Sequence, residues 1–353
     1  MELSRRVRSF GDLVKNKGKK ILIISLFAIF VSLIAIAKIW AIGEKSTFDG
    51  NKDKSFYTVL ICGADGSGAN TDVMMLAALD MQNGRVNLLQ IPRDTFVNPT
   101  ASGLGVTRIN AVYGAAYASA EVSGAARRNA AMQKLCGFME GAFCIEIDRY
   151  ALIDTDVFAK AVDAVGGIEY EVPFDMHYED PVQGLSIHLC AGRQTLNGKM
   201  AEGLLRYRSG YATGDLGRID IRESFIREAL PQVKSKLTAA GAARLAAELA
   251  LSVTTDMNAL EISRFAAFLH GMADENLNIK TISGSAVQNP KTGAWIYYAL
   301  NREAALADIN EYITPNGAEV TLENFDKNSV FTDDPHGENP YISKYYYSKI
   351  KKE

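Results

Sequence analysis

The sequence predicts a layered α/β fold, an α/β/α domain built around a central mixed sheet. Segments with strand character alternate with helical segments along most of the 353 residues, which is typical of helices packed on a sheet. Three apolar segments, at 57–62, 72–79 and 85–91, follow one another closely. Asn83-Gly84 between the last two favours a tight hairpin turn, so at least part of the sheet is expected to be antiparallel.

The later elements follow from apolar periodicity and from helix-ending residues. An alanine-rich stretch at about 111–138 is predicted to be helical with an interruption by glycine, and 148–154 predicts a strand. A helix at 155–165 is expected to end at Gly166-Gly167. The remaining predictions, in chain order, are strands at 168–172 and 185–189, helices at 197–207, 216–236, 239–252 and 258–272, a strand at 277–282 and a helix at 302–312.

The N-terminus predicts a membrane anchor. Residues 1–20 hold seven basic and two acidic residues, a net +5, so the rest of a chain whose total is −3 carries −8. The apolar run at 21–42 is long enough to span a bilayer as one helix, and the basic flank favours a cytoplasmic N-terminus. A cleaved signal peptide is the alternative. The expected order is a cytoplasmic tail at 1–20, a transmembrane helix at 21–42, a stalk at 43–55, an extracytoplasmic domain at 56–315 and a C-terminal extension at 316–353.

The four cysteines, Cys62, Cys136, Cys144 and Cys190, lack the paired spacing of a zinc site. A disulfide is permitted outside the membrane, and Cys136 and Cys144 are close enough in sequence to be a candidate pair. The alternative is that all four are small buried apolar residues.

Charged residues cluster where the first three predicted strands begin or end. Asp65 follows the first strand, Asp72 opens the second, and Arg93-Asp94 follow the third. Ligand crevices form at strand ends in α/β sheets. Carboxylates suit a hard cation and arginine suits a phosphate, so this pattern indicates a metal-assisted phosphate site. Loop capping by the two aspartates is the alternative interpretation.

A second group of arginines lies between 193 and 227. Arg206 and Arg208 are two residues apart, and a glycine-bearing loop around Asp215 leads to Arg218 at the start of a predicted helix. Such a loop and helix N-terminus favour anion binding. The alternative is a solvated helix surface in which these arginines pair with Glu202, Asp220 and Glu223.

With both groups in hand, the chain resembles the LytR-CpsA-Psr family of envelope phosphotransferases from about residue 57 to 230, and more weakly to about 315. The motifs that carry the resemblance occur in the family's order: CGADGSGANTDVMM, LLQIPRDTFV, RINAVYGAAY, DAVGGIEYEVPFDM, LSIHLCAGRQTLNGKMAEGLLRYR and GYATGDLGRIDI.

The resemblance implies a magnesium-dependent enzyme in the extracytoplasmic domain of a single-pass protein of a Gram-positive-type cell membrane. It would transfer a teichoic acid, capsule or other wall polysaccharide from a polyprenyl-pyrophosphate carrier to a peptidoglycan sugar hydroxyl. The implied magnesium ligands are Asp65 and Asp72, with Arg93 on the pyrophosphate and Asp94 orienting Arg93. Asp215 is implied near the acceptor, and either Asp72 or Asp215 would be the base. The other implied phosphate-binding positions are Arg108, Asn110, Arg206, Arg208, Arg218 and Arg222.

The chain departs from the family pattern at four positions. Gly66 and Asn70 stand where the family often has arginine, Arg108 stands where it usually has lysine, and Arg222 stands where it has glutamine. Fewer positive charges therefore flank the aspartates, and the extra charge of Arg222 partly compensates. These changes bear on substrate preference more than on reaction class.

Two alternatives remain. A non-catalytic polyprenyl-phosphate binder with a regulatory role would not need the metal-binding aspartate pair, which speaks against it. A hydrolase that cleaves the pyrophosphate with water would use every residue named above. Nucleic acid is not expected as a partner, because the outer domain is acidic and its expected location outside the membrane separates it from DNA. A serine hydrolase is disfavoured too, since the chain holds four histidines and no G-x-S-x-G motif.

Overall fold

The computed structural model describes residues 54–64, 71–99, 104–180, 185–207, 253–288, 295–314, 319–325, 327 and 330–331. It also describes ten helical residues between 221 and 236, at 221, 224–225, 228–229, 231–233 and 235–236. The predicted helix at 239–252 lies outside these ranges.

A six-stranded mixed sheet forms the centre of the described structure. Its strands are β1 (Phe56–Ala64), β2 (Thr71–Asp80), β3 (Arg85–Gln90), β4 (Arg149–Asp154), β9 (Val253–Thr255) and β10 (Leu277–Thr281). They lie side by side in the order β10-β3-β2-β1-β4-β9. β2 is antiparallel to β3, as the hairpin turn predicted, and it is antiparallel to β1 as well. β4 is parallel to β1, and β10 is parallel to β3. The predicted mixed sheet is confirmed.

Helices cover both faces of this sheet. One face packs on α1 (Asn110–Ser119), α2 (Gly124–Phe143) and α6 (Arg302–Tyr312). The other packs on α3 (Thr155–Ala164), α4 (Gly198–Arg206) and α5 (Ala259–Gly271). In β1, Val59 and Ile61 belong to the second core whereas Leu60 and Cys62 belong to the first, because alternate strand residues point to opposite faces. This arrangement is the predicted α/β/α layering.

Close backbone contact fixes α4 against α3. The amide of Gly198 donates to the Asp163 carboxylate at 2.7 Å, and Asn197 caps the helix by accepting from the Met200 amide. A Cβ at position 198 would stand 2.1 Å from the Ala159 carbonyl oxygen, so only glycine fits there. The helix that ends at Arg206 is therefore held in a defined position.

Three two-stranded ribbons surround the sheet, and the sequence analysis predicted only part of them. They pair β5 (Ile168–Val172) with β8 (Gly192–Leu196), β6 (Met176–Asp180) with β7 (Leu185–Leu189), and β11 (Gly284–Gln288) with β12 (Trp295–Leu300). β5 and β7 were predicted, but β6, β8, β9, β11 and β12 were not. The omitted strands are only three to six residues long, so each offers too few residues to show a clear apolar periodicity.

The interrupted helical stretch predicted at about 111–138 consists of two helices, α1 and α2, separated by the non-helical residues 120–123. Ser123 occupies the N-cap position of α2 in an extended conformation, and Gly124 has φ +60°. The interruption therefore ends at a glycine, and alanine favours helix on either side of it.

The anchor predicted at 21–42, the tail at 1–20 and most of the stalk at 43–55 lie outside the described residues. Within the described part of the chain, no helix has the length and apolar character needed to cross a bilayer. Near the other end, Phe325, Val330 and Phe331 are buried in the core formed by α1, α2 and α6, so the first part of the predicted C-terminal extension packs on the domain.

All four cysteines are free thiols, and the pair that the sequence suggested is not joined. Cys62 and Cys136 are buried, whereas Cys144 and Cys190 are exposed. Cys144 is the C-cap residue of α2 and has a left-handed backbone conformation, with φ 53°. Burial raises the pKa of the Cys136 thiol to about 12 and raises that of Cys62 as well. The alternative interpretation, buried apolar cysteines, holds for two of the four.

Candidate active site at the carboxyl edge of the sheet

The strand directions bring the first group of charged residues to one edge of the sheet. β1, β3, β4 and β10 all run toward this edge and end there, and β2 begins there. We call it the carboxyl edge. Asp72 lies at the start of β2, and Arg93 and Asp94 follow β3 at the carboxyl edge, as the sequence predicted.

Asp72 is the extra residue of a β-bulge. Val73 pairs with Gly63 and Thr71 pairs with Ala64, so the ladder between β1 and β2 shifts at Asp72. Bulges re-aim side chains and are common next to active sites. On the other side of β2, the Ile91 amide donates to the Met74 carbonyl at 3.1 Å, which extends the pairing beyond β3. Arg93 and Asp94 follow in the turn that the Thr95 amide closes by donating to the Pro92 carbonyl at 3.0 Å, so both leave the sheet at the edge where β2 begins.

Asp94 lies between two arginines. Its Oδ2 is 3.4 Å from Arg93 Nε, and its Oδ1 is 3.5 Å from Arg108 Nη1. The side chains are 26%, 35% and 40% exposed for Arg93, Asp94 and Arg108 respectively, so all three are reached by solvent. We call them the Arg93–Asp94–Arg108 cluster. It carries a net charge of +1, and its carboxylate holds the two guanidinium groups close together.

Backbone contacts join Arg108 to the same turn. Arg108 bridges to Phe96, the Ile109 amide donates to the Thr95 carbonyl, and the Asn110 amide donates to the Arg93 carbonyl at 3.3 Å. Asn110 thus contacts the site through its backbone as the first residue of α1. The implied phosphate positions at 93, 108 and 110 lie together.

A distant strand holds the Arg108 side chain. Nη2 of Arg108 donates to the Ile296 carbonyl at 3.1 Å, and the guanidinium lies 5.5 Å from the centre of the Tyr297 ring. An arginine over an aromatic face gains a cation–π attraction while its other N–H groups stay available. β12 therefore contributes to the site although no sequence motif marked it.

Arg206 belongs to a different layer. It is the last residue of α4, the helix packed on the opposite face of the sheet, and its Nη1 donates to Glu202 at 2.8 Å. This pair is the alternative that the sequence analysis left open for the arginine group. The helix C-terminus also attracts a positive side chain.

Several predicted site residues lie outside the described part of the chain, namely Asp65, Arg208, Asp215, Arg218 and Arg222. Asp72 is described through its backbone only. Among the described residues, no group of three or more histidine, cysteine, aspartate or glutamate side chains is placed to hold a metal ion.

The carboxyl edge holds a further ion pair that the sequence analysis missed. Asp154 ends β4 directly beside Ala64, and both its oxygens accept from Arg128 of α2 at 2.9 Å. This pairing raises the pKa of Arg128. The fully buried Tyr113 hydroxyl lies near the pair and, among the described residues, has no hydrogen-bond partner; burial raises its pKa to about 12. A carboxylate at a strand end was the available signal for Asp154, as it was for Asp65.

Comparison with known proteins places these features in a family. The model of the LytR_cpsA_psr family matches residues 28–312. A curated relative, the polyisoprenyl-teichoic acid–peptidoglycan teichoic acid transferase TagV of Bacillus subtilis (strain 168), is 26% identical over 239 residues, which are 66% of this chain and 58% of the relative. The chain thus spans less than two thirds of the length of TagV.

Two further matches agree with this one. The polyisoprenyl-teichoic acid–peptidoglycan teichoic acid transferase TagU of Oceanobacillus iheyensis is 27% identical over 266 residues, covering 74% of this chain and 77% of the relative. The crystal structure of protein gbs0355 from Streptococcus agalactiae superposes with a TM-score of 0.65 at 19% identity, covering 84% of this chain and 99% of that one. This likeness shows the fold. On the extent of the family match, the chain is a member of the LytR-CpsA-Psr family.

Proposed function

We propose that this protein transfers a phosphate-linked wall glycopolymer from a polyprenyl-pyrophosphate carrier to a sugar hydroxyl of peptidoglycan. Family membership and the names of two relatives, both teichoic acid transferases, support the reaction class. The observation that carries the proposal is the Arg93–Asp94–Arg108 cluster beside the Asp72 bulge, because it joins a cationic surface to a carboxylate position at one sheet edge.

In this reaction the acceptor hydroxyl oxygen forms a bond to the phosphorus that carries the glycan. The bond from that phosphorus to the bridging oxygen breaks, and polyprenyl phosphate leaves. Negative charge on the phosphoryl oxygens must be stabilised while this happens. Arg93 and Arg108 present planar N–H donors suited to phosphate oxygens, and Asp94 keeps them oriented.

Asp72 fits a magnesium site by position and by chemistry. It lies at the start of β2 at the carboxyl edge, next to the strand that Arg93 follows, and carboxylate oxygen is the donor that magnesium prefers. Magnesium is usually held by one or two carboxylates together with phosphate and water, so a site built on Asp65 and Asp72 needs no third protein ligand. Bound there, magnesium would neutralise charge on the pyrophosphate.

The remaining assignments belong to the same proposal. Arg208, Arg218 and Arg222 are assigned to the phosphates, and either Asp72 or Asp215 accepts the proton of the acceptor hydroxyl. Arg206 retains Glu202 as its partner, so a phosphate contact there shares its guanidinium with that carboxylate. We also propose that residues 21–42 anchor the protein in the cell membrane with the catalytic domain outside, where carrier and peptidoglycan meet.

The experiment that tests this proposal uses the full-length protein in detergent with a polyprenyl-pyrophosphate-linked oligosaccharide and peptidoglycan oligomers. Mass spectrometry follows the phosphodiester-linked product and released polyprenyl phosphate. The proposal predicts that both appear together in equal amounts. Release of polyprenyl phosphate together with free glycan phosphate, without linked product, identifies a hydrolase instead. Binding of the carrier without formation of either product identifies a non-catalytic binder.

A further inference from the structure

The β6–β7 hairpin carries a histidine pair that the proposed function does not use. His177 of β6 lies directly opposite His188 of β7 in the antiparallel register. Both side chains are exposed, as are Glu179 and Ser186 on the same face, whereas Ile187 and Leu189 are buried on the other. Two of the four histidines of this chain therefore meet on one outward face.

The two imidazole rings converge at short range. Their Nδ1 atoms are 3.3 Å apart, and the ring centres are 5.6 Å apart. Nε2 of His188 contacts Oε1 of Glu179, which also accepts from the Ser186 hydroxyl at 2.7 Å.

Glu179 fixes the tautomer of His188. A carboxylate that accepts the Nε2 proton leaves Nδ1 of a neutral imidazole with its lone pair exposed, pointing at His177. Metal-binding histidines characteristically donate their second nitrogen to a carboxylate in this way. Two nitrogens bound about 2.0–2.1 Å from a tetrahedral ion stand about 3.3–3.4 Å apart, which is the separation that the Nδ1 atoms already have.

We propose that this face of the β6–β7 hairpin binds a divalent transition metal ion of the zinc, nickel or copper class. The protein ligands are Nδ1 of His177 and Nδ1 of His188, and Glu179 orients His188. On binding, His177 changes tautomer: the Nδ1 proton leaves to solvent and Nε2 takes up a proton, so the imidazole stays neutral and Nδ1 presents its lone pair to the ion. Since the described residues hold no group of three such ligands, water completes the coordination. Imidazole ligands favour these ions over magnesium and calcium, which prefer oxygen.

An ion held between the two strands stabilises the part of the fold that supports α4. Ile187, on the inner face of the same hairpin, packs on Gly203, where a Cβ would stand 3.4 Å from Ile187. α4 ends at Arg206. A ligand that binds only the folded hairpin raises the stability of the folded state by mass action.

Titration of the chelator-treated, full-length protein with zinc chloride alone tests the proposal, with calorimetry and the thermal unfolding midpoint as readouts. We expect one zinc ion per chain and a rise in the midpoint. His188→Ala should weaken binding at least tenfold and abolish the rise, and Glu179→Gln should weaken binding about tenfold. Cys190→Ser and His270→Ala are the controls and should bind zinc as the wild type does.

The variants also report on folding, because without zinc each should unfold at the wild-type temperature within a few degrees. Absence of zinc binding by the wild-type protein at millimolar zinc overturns the proposal. So does equal affinity in the wild type and His188→Ala, or loss of binding in Cys190→Ser, which would assign the ion to the thiolate. Magnesium chloride in place of zinc should give the same heat and the same midpoint in the wild type and in His188→Ala, because magnesium prefers oxygen ligands and does not bind this pair of imidazoles.

Discussion

Replacing Asp94 with asparagine separates the role of its charge in catalysis from its contribution to stability. The side chain keeps its size but loses the charge that holds Arg93 and Arg108. Both contacts are long, 3.4 and 3.5 Å, and all three side chains are between 26% and 40% exposed. Exposed ion pairs contribute about 0.2–1 kcal/mol, so Asp94→Asn should lower the free energy of unfolding by about 1 kcal/mol or less.

The expected effect on transfer is much larger. Without the carboxylate the two guanidinium groups repel each other and separate, and a displacement of about 1 Å in a positioning group costs about 100-fold in rate. We therefore predict that Asp94→Asn lowers the transfer rate about 100-fold, equivalent to about 2.7 kcal/mol of transition-state stabilisation. Asp94→Glu, which restores the charge at a slightly different position, should recover part of that loss.

Glu261→Gln provides the control. Glu261 pairs with Arg149, which opens β4 at the opposite edge of the sheet, and is 18% exposed. Glu261→Gln should lower the free energy of unfolding more than Asp94→Asn does, yet leave the transfer rate unchanged. Mass spectrometry of the linked product and thermal unfolding of the same samples measure both quantities. A wild-type rate in Asp94→Asn, or a rate loss in Glu261→Gln as large as in Asp94→Asn, would refute the reasoning.

Three further predictions concern packing, thiol chemistry and topology. Gly198→Ala should lower the free energy of unfolding by about 3 kcal/mol or more, because its Cβ would collide with the backbone of α3. Gly137→Ala, in open space on α2, should raise the free energy of unfolding by about 0.5–1 kcal/mol. Calorimetry that ranks the two variants the other way contradicts the packing. Iodoacetamide should modify Cys144 and Cys190 in the native protein and reach the two buried thiols only after unfolding, which peptide mass spectrometry checks. A reporter fused after Glu353 should be active outside the cell, and a cytoplasmic signal would reverse the proposed topology.

The carboxyl edge could be predicted from the sequence because its signals are local. Apolar segments of strand length end at Asp65 and Arg93, and Asn83-Gly84 indicates the reversal between β2 and β3. From those features alone, two carboxylates and an arginine are expected at one edge. The structure adds the bulge at Asp72 and the turn after β3 that holds Arg93 and Asp94.

The rest of the site depends on contacts between distant parts of the chain. Arg108 is held by Ile296 and Tyr297, which are almost 190 residues away in a strand that gave no clear periodicity. Asp154 meets Arg128 because α2 crosses back over the end of β4, and nothing in the local sequence of either residue indicates the partner. Such pairings follow from tertiary packing, which a single sequence does not reveal residue by residue.

The most direct test of the central claim is the magnesium dependence of transfer in Asp72→Asn beside Asp80→Asn. These aspartates lie at opposite ends of β2, and Asp80 accepts hydrogen bonds from Asn83 in the turn, far from the carboxyl edge. The account predicts that the wild type and Asp80→Asn form linked product with magnesium and stop when it is chelated, whereas Asp72→Asn stays inactive but folded at any magnesium concentration. Full transfer by Asp72→Asn, or transfer by the wild type without a divalent ion, would contradict the account.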